Sequence, residues 1–338
     1  MVARKPLVAL LAAPETTPSV LFGLYDVLLS VGAVYPDMTL GQPGDSLLDV
    51  LIVAASKEPF RCFGNVLVEP HAALVDVQHA DAIVVCDMYT PIDAPPHGRY
   101  PQEINWLKQQ HDRQALLCSV CSGSLLLAEG GLLDGEACAA HWGYVELFRR
   151  HYPKVRLCSE SILNLDSEAK GIVTAGGVTS WQELALHLIV RFCGRDHALQ
   201  TAKIYLLAGH EDGQLPFAAM NRQIQNNDAV IAGCQRWITQ NFAVSNPIAA
   251  MTERSGLTSR TFARRFRAAT GYMPMDYVHA LRIEESKHVI ETGLGNIDDI
   301  SAQVGYEDPT FFRRLFKRKV GITPAAYRRK FASMAAVE

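Results

Sequence analysis

The distribution of apolar and polar residues divides the chain into two parts with different periodicity. The first part contains short continuous apolar runs at residues 6–12, 49–54, 82–86 and 115–120. Stretches with helical spacing lie between them, and this alternation is typical of a parallel sheet covered by helices. Residues 82–86 and 115–120 are the most continuous runs, so we predict them to be central strands buried on both faces.

The second part contains one pattern twice, about 50 residues apart. In each copy two apolar residues lie three positions apart, a glycine follows, and a helix with two phenylalanines one turn apart then begins. A left-handed glycine allows a sharp turn between two helices, so each copy predicts a helix-turn-helix unit. We place the units at about 247–269 and 297–319. The matched residues are Ile248, Met251, Gly256, Phe262, Phe266, Gly271, Pro274 and Ile297, Ile300, Gly305, Phe312, Phe316, Gly321, Pro324.

The second helix of each copy has a start signal and two chemically different faces. Thr258 or Ser259 can cap the first, and Asp308 followed by Pro309 is a cap followed by proline at the first helical position. The phenylalanines face the core, whereas the opposite face is basic and suits the major groove of DNA. A single basic face is often only solvated, but two copies in register favour DNA binding. The predicted DNA contacts are Ser259, Arg260, Arg264, Arg267, Pro309, Thr310, Arg313, Arg314 and Lys317.

From about Ala229 to Phe331 the chain resembles the DNA-binding domain of AraC/XylS-family transcription regulators. The closest match lies in the second copy, in residues 305–309, 312–317 and 321–324. The resemblance implies seven helices, with a long central helix joining the two units, and residues 274–291 fit that helix. Its candidate packing positions are Tyr277, Leu281, Ile283 and Ile290.

The charge is distributed unevenly between the two parts. The formal net charge of the whole chain is −3, but residues from 226 onward contain 16 Lys and Arg against 11 Asp and Glu, a net +5. Residues 1–225 therefore carry a net −8. The positive excess lies in the part with the repeated pattern, as contact with phosphates requires. The acidic first part argues against a protein that coats DNA non-specifically.

A chain of 338 residues is long enough for two domains. We predict an α/β domain at 1–208, a linker at 209–228 and an all-α domain at 229–332, with a helix around 198–207 before the linker. No apolar run approaches the roughly 20 residues of a membrane span, and we expect no signal peptide. We therefore expect a cytoplasmic protein whose eight cysteines are reduced.

The candidate chemistry of the first part lies directly after the run 115–120. The segment 120–124, Val-Cys-Ser-Gly-Ser, precedes an apolar helix. A small residue two positions after Cys121 permits the strained strand-to-helix turn that exposes a nucleophile, and N–H groups at the helix start face any bound anion. His141 and Trp142 follow 20 residues later. Alone, His141 could also be a satisfied core histidine.

This part resembles the class I glutamine-amidotransferase-like superfamily, in its PfpI/ThiJ-like branch. The order of the turn at Cys121, the segment Gly131–Gly135 and the pair His141-Trp142 is more closely similar to GlxA-type regulators. Those proteins fuse this domain to an AraC-type domain, so the resemblance covers nearly the whole chain. It implies a flavodoxin-like parallel sheet followed by an all-α domain.

The chain departs from the enzymatic pattern of that superfamily at three places. Val20 stands where an acidic residue hydrogen-bonds the cysteine, with Glu15 nearby but out of register, and residues 86–88 (Cys-Asp-Met) replace a glycine pair. Ser122 stands where PfpI-type peptidases have a histidine. A nucleophile and an oxyanion site both need such partners. We therefore predict no catalytic residue, but a vestigial turn at Cys121 that forms part of a ligand pocket.

The sequence thus predicts a transcription regulator that binds an operator in double-stranded DNA and senses a small metabolite. We expect a homodimer, with RNA polymerase as a further candidate partner, and an effector that is an amine, an amino acid or a carboxylate. No cofactor is expected, and no metal, because no histidines lie at metal-ligand spacing. The predicted effector contacts are Cys121, Ser122, His141, Trp142 and Glu15.

Two alternatives involve Cys121. A PfpI/ThiJ-like cysteine-dependent hydrolase or glyoxalase-like enzyme fused to a DNA-binding domain would use it as nucleophile. A free acidic side chain within hydrogen-bond reach of its sulfur would favour that enzyme. A redox sensor would act through oxidation of Cys121. The spacing Cys118-x-x-Cys121 is formally that of a redox or zinc pair, but Cys118 falls inside a predicted strand.

Overall fold

The structure, a computed structural model, describes the chain except residues 1–3, 93–94, 208, 211, 221–227, 293–294 and 336–338, and gives only the backbone for 332–335. It divides into two compact units, with the boundary between Gln214 and Leu215. This boundary falls inside the predicted linker 209–228. Residues 211 and 221–227 of that linker lie outside the described part, so the extent of the linker stays a prediction.

The first unit is built on one large sheet with helices on both faces. Its strands are β1 Leu7–Leu11, β2 Asp49–Ala54, β3 Phe60–Cys62, β4 Val66–Val68, β5 Ala72–Ala73, β6 Ala82–Val85, β7 Leu116–Val120, β8 Ala137–Cys138, β9 Arg156–Leu157, β10 Leu163–Asn164 and β11 Ile172–Ala175. Seven of them form the sheet in the order β10-β11-β7-β6-β1-β2-β5. Neighbours pair parallel except β10 with β11, while β3–β4 and β8–β9 form two small separate pairs.

All four predicted strand regions are confirmed as β1, β2, β6 and β7. Residues of β6 and β7 are buried throughout, because helices cover both faces of the sheet. Alternate residues of one strand enter different cores: Leu10 faces one, and Ala9 faces the other. The short strands β5 and β10 were not predicted, since two residues carry no periodic signal.

Seven helices of the first unit are described. They are α1 Pro18–Leu29, α2 Val34–Leu40, α3 Pro101–Asp112, α4 Ser124–Glu129, α5 Val145–His151, α6 Trp181–Cys193 and α7 Arg195–Tyr205. Helices α1 and α6 pack on one face of the sheet, and α3, α4 and α5 supply the core on the other. Helix α7 corresponds to the helix predicted at 198–207, but it ends at Tyr205 because Leu206 is left-handed, with φ 53°.

No single described helix is long and apolar enough to cross a membrane. Helices α1 and α2 satisfy that criterion only as a pair bent by 59°, and by length and composition alone. The apolar side chains of α1 are buried in the core of the first unit.

Helices are the regular secondary structure of the second unit's described residues. Its helices are α8 Ala229–Gln240, α9 Pro247–Ser255, α10 Ser259–Thr270, α11 Pro274–Glu291, α12 Ile297–Gln303, α13 Pro309–Val320 and α14 Pro324–Ala335. The seven predicted helices are confirmed, and α11 has the bounds predicted for the central helix. All four of its predicted packing positions are buried.

Helix α11 contributes to two separate cores. Tyr277, Val278 and Leu281 pack with α8, α9 and α10, whereas Ile283 and Ile290 pack with α12, α13 and α14. Each helix-turn-helix pair therefore has its own core, and both cores use the same helix. The fold class predicted from the sequence, an α/β domain followed by an all-α domain, is confirmed.

Candidate functional site

The first helix-turn-helix pair consists of α9 and α10. Gly256 ends α9 in the left-handed region, with φ 64°, which glycine adopts without strain. The Thr258 side chain caps α10 by accepting the Thr261 N–H at 3.4 Å. Phe262 and Phe266 are buried, and both project into the core beneath α10. The opposite face of α10 is thereby directed away from that core.

The second pair consists of α12 and α13 and is built in the same way. Gly305 turns the chain with φ 87°, and the Asp308 carboxylate caps α13 by accepting the Thr310 N–H at 2.8 Å. Pro309 occupies the first turn, where its missing N–H has no cost. The buried Phe312 and Phe316 of this copy also face the core.

The predicted DNA-contacting residues lie on the outer faces of α10 and α13. All of them are exposed except Pro309, which is half-buried. Arg264 and Arg314 lie opposite the phenylalanine face of their helices, because two residues of an α-helix separated by two positions point about 160° apart. Arg313 forms an ion pair with Asp298 of the preceding helix. The structure collects the predicted residues into two basic faces, and their contact with DNA stays a prediction.

Arg282 is a central residue of the second unit that no sequence pattern predicted. It lies on α11 between the two cores and is 4% exposed. Its guanidinium donates to the carbonyl oxygens of Phe242 at 2.8 Å, Val244 at 2.8 Å and Gly305 at 2.7 Å. Its charge also lies 5.1 Å from the centre of the Tyr306 ring. Burial lowers the pKa of this guanidinium, and three carbonyl acceptors compensate for the lost water.

In the first unit, the predicted strand-to-helix turn forms at the end of β7. Cys121 adopts φ 53°, a left-handed conformation that costs a non-glycine residue about 1–3 kcal/mol. One turn of 3-10 helix from Cys121 to Gly123 leads into α4. A Cβ at Gly123 would lie 2.3 Å from the Val85 carbonyl oxygen, so only glycine fits there. These contacts explain why the turn contains this small residue.

The helix start at this turn is occupied by a carboxylate of the protein itself. Asp87, 6% exposed, accepts the Ser122 N–H at 3.2 Å and lies 2.7 Å from the Ser122 hydroxyl. The Thr17 hydroxyl donates to its other oxygen at 2.6 Å. The N–H donor that we expected to face a bound anion is therefore already used. Asp87 was not among the predicted site residues, because residues 86–88 were interpreted only as the absence of a glycine pair.

The Cys121 thiol does not have the properties of an activated nucleophile. It is 3% exposed rather than presented to solvent as expected, because the turn is packed into the core. Burial first, and then the charge and hydrogen bond of Asp87, raise its pKa well above the usual range. A reactive cysteine needs the opposite shift. Asp87 is an acidic group near the sulfur, but Thr17 and Ser122 hold it, so it is not free.

His141 lies close enough to Asp87 for its charge to affect the histidine, and two aromatic rings lie beside the imidazole. Its Nδ1 accepts the Gly143 N–H at 3.1 Å, so the neutral ring carries its proton on Nε2. Burial lowers its pKa, and Asp87 only partly offsets that effect. The Trp142 ring lies 4.8 Å away and the Tyr144 ring 6.2 Å away. Among the described residues, no acceptor is hydrogen-bonded to Nε2.

The backbone of Glu15 lies beside the segment that carries Asp87, since its carbonyl accepts the Tyr89 N–H at 2.7 Å, but its side chain has a partner of its own. Its carboxylate pairs with Arg99, and it is not among the groups that shift the pKa of Cys121. The structure thus brings Cys121 and Ser122 together around Asp87. His141 is within range of the same carboxylate, with Trp142 beside it, whereas Glu15 belongs to a separate ion pair.

The cysteines show no metal or redox pair at this turn. Cys118 lies inside β7, is fully buried, and has a pKa raised by burial. In the part of the chain that the structure describes, no group of three His, Cys, Asp or Glu side chains could hold a metal ion.

Comparison with known protein families matches residues 18–191 to the DJ-1/PfpI family and residues 251–330 to a helix-turn-helix domain. The chain belongs to the DJ-1/PfpI family. This DJ-1/PfpI protein is 24% identical over 305 residues to the HTH-type transcriptional regulator CdhR of Pseudomonas aeruginosa, with 89% of this chain and 88% of the relative covered. It is 26% identical over 218 residues to the HTH-type transcriptional regulator GlxA of Rhizobium meliloti, covering 63% and 65%.

A solved structure shows the same fold for part of the chain. A protein from Vibrio parahaemolyticus, described as a transcriptional regulator, superposes with a TM-score of 0.50 at 15% identity over 60% of this chain and 99% of its own. The combination of a DJ-1/PfpI domain with an AraC-type helix-turn-helix domain makes this DJ-1/PfpI protein a GlxA-type transcription regulator, as the sequence predicts.

Proposed function

We propose that this regulator binds its operator through α10 and α13 and changes transcription when its DJ-1/PfpI domain binds a small molecule. We further propose that it acts as a cytoplasmic homodimer, that RNA polymerase is among its partners, and that it has no catalytic activity. The observation that carries the proposal is the pair of exposed basic helix faces, each entered through a capped turn and backed by its own core. Two such helices can enter successive major-groove segments, about 34 Å apart along the duplex.

The assignment of a sensing rather than a catalytic role rests on the turn at Cys121. Its thiol stays protonated, and the backbone donor of Ser122 that would stabilise an oxyanion is bound to Asp87. Both requirements of cysteine-dependent acyl chemistry are therefore unmet. Oxidation needs an accessible thiolate as well, so the redox alternative meets the same obstacle.

The same contacts narrow the class of effector. A free carboxylate near the turn would meet the buried charge of Asp87 and would find the Ser122 N–H already bound. An amine, or the ammonium end of an amino acid, would instead be attracted by that charge and by the faces of Trp142 and Tyr144. We therefore propose a cationic effector that lies against His141.

DNA binding is tested with a duplex selected by the full-length protein from a randomised library. Arg260→Ala or Arg313→Ala should weaken binding of that duplex by about 1–3 kcal/mol and leave thermal stability unchanged. Arg236→Ala is the matched control, because it removes the same charge from an exposed position of α8. Binding of both variants at wild-type strength would contradict the assignment of the basic faces.

Effector binding is tested by thermal-shift screening of the full chain against amines, amino acids and carboxylates, since a ligand of the folded state raises the melting temperature. A hit should be cationic and should be lost in His141→Ala. A purely anionic hit would reject the proposed class.

Catalysis is tested by turnover of amide, peptide and dicarbonyl substrates. The wild-type rate should equal that of Cys121→Ala. A rate that depends on Cys121 would establish the enzyme alternative.

A further inference from the structure

The end of the first unit is fixed to its α/β domain rather than left free. After α7, both the backbone N–H and the ring Nδ1 of His210 bind one carboxylate oxygen of Glu183 on α6, at 2.9 and 2.5 Å. Gly213 then adopts φ 69°, and a Cβ there would lie 2.7 Å from the Glu160 carbonyl oxygen. The chain therefore passes closely over the residues before β10 on its way to the boundary.

Gln214, the last residue of the first unit, is 3% exposed, and its side chain lies in a closely fitting socket beside Gly176. Its side-chain amide donates to the carbonyl oxygens of Ser161 at 2.7 Å and Ala140 at 3.2 Å. A Cβ at Gly176 would lie 1.9 Å from this amide nitrogen, so the missing side chain makes room for it. Ala140 directly precedes His141. The end of the first unit is thus hydrogen-bonded to the segment that carries the proposed effector contact.

The next residues are fixed to α11 and α14. Leu215–Phe217 form one turn of 3-10 helix, and the Phe217 ring meets the Phe331 ring of α14 edge-on at 5.3 Å. The Lys287 ammonium of α11, whose side chain is 7% exposed, donates to the Ala218 carbonyl and pairs with Glu284 at 3.0 Å. A buried lysine that binds a backbone carbonyl of this segment holds the start of the second unit against its central helix.

Only two residues separate the anchor at Gln214 from the anchor at Phe217, so the connection is three residue steps long and spans at most about 11 Å. A long flexible linker would absorb a displacement of either anchor, whereas so short a piece of chain transmits the displacement to the other anchor. We propose that the segment 212–218 couples occupancy of the site at His141 to α11 and α14. Gln214 and Phe217 are its positioning residues. This inference rests on the proposed function of the two domains.

Coupling between two sites is reciprocal, so DNA itself can serve as the probe. If the segment couples the sites, binding of the selected duplex to the second unit must change the opening of residues 137–144 in the first. Hydrogen–deuterium exchange of that peptide measures this opening in the full-length protein. We expect the duplex to change its exchange rate about 5-fold or more, the lower end of typical allosteric coupling.

Two variants break the coupling at different anchors. Gln214→Met removes both side-chain hydrogen bonds at similar volume, and Phe217→Ala removes a ring that is 40% exposed and supports no deep core. Both should still bind the duplex, but the exchange rate of residues 137–144 should no longer respond to it. Leu206→Ala is the control, since this side chain is 86% exposed and is close in sequence to the segment. It should respond like the wild type.

The possible failures are distinguishable. If no duplex can be selected, the proposed function fails and the inference fails with it. If the duplex binds but residues 137–144 of the wild type do not respond, the coupling alone is wrong. A response of wild-type size in both Gln214→Met and Phe217→Ala would show that another route carries it, and would also overturn the inference.

Discussion

The two helix-turn-helix copies share one core geometry. In each, two phenylalanines one turn apart pack together, and the second meets a tyrosine of the following helix edge-on. The ring centres of the phenylalanine pairs are 5.4 and 5.7 Å apart, and the phenylalanine–tyrosine distances are 5.4 and 5.6 Å. All three residues recur 50 positions later. Equal sequence spacing has therefore produced equal packing. The residues are Phe262, Phe266, Tyr277 and Phe312, Phe316, Tyr327.

The copies differ in their turns. The second has one residue more between its glycine and the cap of the following helix, and it contains Tyr306. The Tyr306 ring stacks on His279 at 5.8 Å, and its hydroxyl lies 2.9 Å from the His279 Nδ1. Polar contacts thus join this turn to α11, and Arg282 binds the Gly305 carbonyl beside it. The two cores have the same geometry, but the second turn has polar contacts with α11 of its own.

The largest effects should come from the phenylalanines of the two cores. Phe266→Ala and Phe316→Ala should each lower the free energy of unfolding of their unit by about 3–5 kcal/mol, because each leaves a cavity beneath a helix. Hydrogen exchange of peptides from α10 and α13 in increasing denaturant measures both. Phe311→Ala is the control, since Phe311 is 38% exposed. Clearly unequal losses for the matched pair would show that the cores are not equivalent.

Arg282→Met should have the next largest effect. It leaves the carbonyl groups of Phe242, Val244 and Gly305 without a side-chain donor, at a cost of about 3 kcal/mol or more. The same exchange measurement should show α10 and α13 destabilised together, because Phe242 packs against both cores and Gly305 lies in the turn of the second copy. Destabilisation of α13 alone would show that Arg282 serves only the second copy. Arg236→Met, at an exposed position, is the matched control.

The repeated pattern made the second unit predictable in detail, including α11 and its buried positions. Apolar periodicity, glycines and caps are local signals, and in this unit they agree with the fold. Arg282 was not predictable in the same way. In sequence it is one more basic residue on a long helix, and only the meeting of three distant carbonyls explains its burial.

In the first unit the sequence predicted the four main strands and the turn at Cys121. It did not predict that this turn is buried and hydrogen-bonded to Asp87. Asp87 is 35 residues from Ser122 in sequence, and its carboxylate reaches the turn because β6 and β7 are neighbours in the sheet. Gln214 lies in the predicted linker, and its socket depends on Gly176. These residues act through long-range contacts, to which a local pattern is insensitive.

A smaller effect is expected for matched arginines on the outer faces. Arg264 and Arg314 are equivalent positions, so Arg264→Ala and Arg314→Ala should each weaken binding of the selected duplex by about 1–3 kcal/mol. Titrations at several salt concentrations identify the kind of contact that each variant loses. Loss of a phosphate contact reduces the salt dependence of binding, whereas loss of a base contact relaxes sequence specificity. A loss in only one of the two variants would mean that one copy alone binds DNA.

The smallest effect concerns pH and the second copy. Burial, then the nearby positive charges, lowers the pKa of His279 below its usual value of about 6.5, with Asp276 acting in the opposite direction. The unfolded chain therefore binds a proton near pH 6.5 that the folded chain does not. Stability from the neutral ring is complete above that pH and is lost as the pH falls towards the folded pKa. The positive groups are Arg282, Lys319 and Arg318.

His279→Gln should remove this slope. Exchange of α13 peptides between pH 5 and 7.5, compared for wild type and variant, measures the difference. An unchanged slope in the variant would assign the pH dependence to another group.

The use of α11 by both cores has a consequence for how the protein loses activity. Unfolding of either copy would remove packing partners from α11 and with them part of the other core. The two basic helices therefore belong to one cooperative folding unit, and a protein with one intact and one melted DNA-binding helix is not a stable intermediate. On heating, operator binding should thus be lost in a single step. We expect no temperature range in which the regulator binds DNA through only one of its two helices.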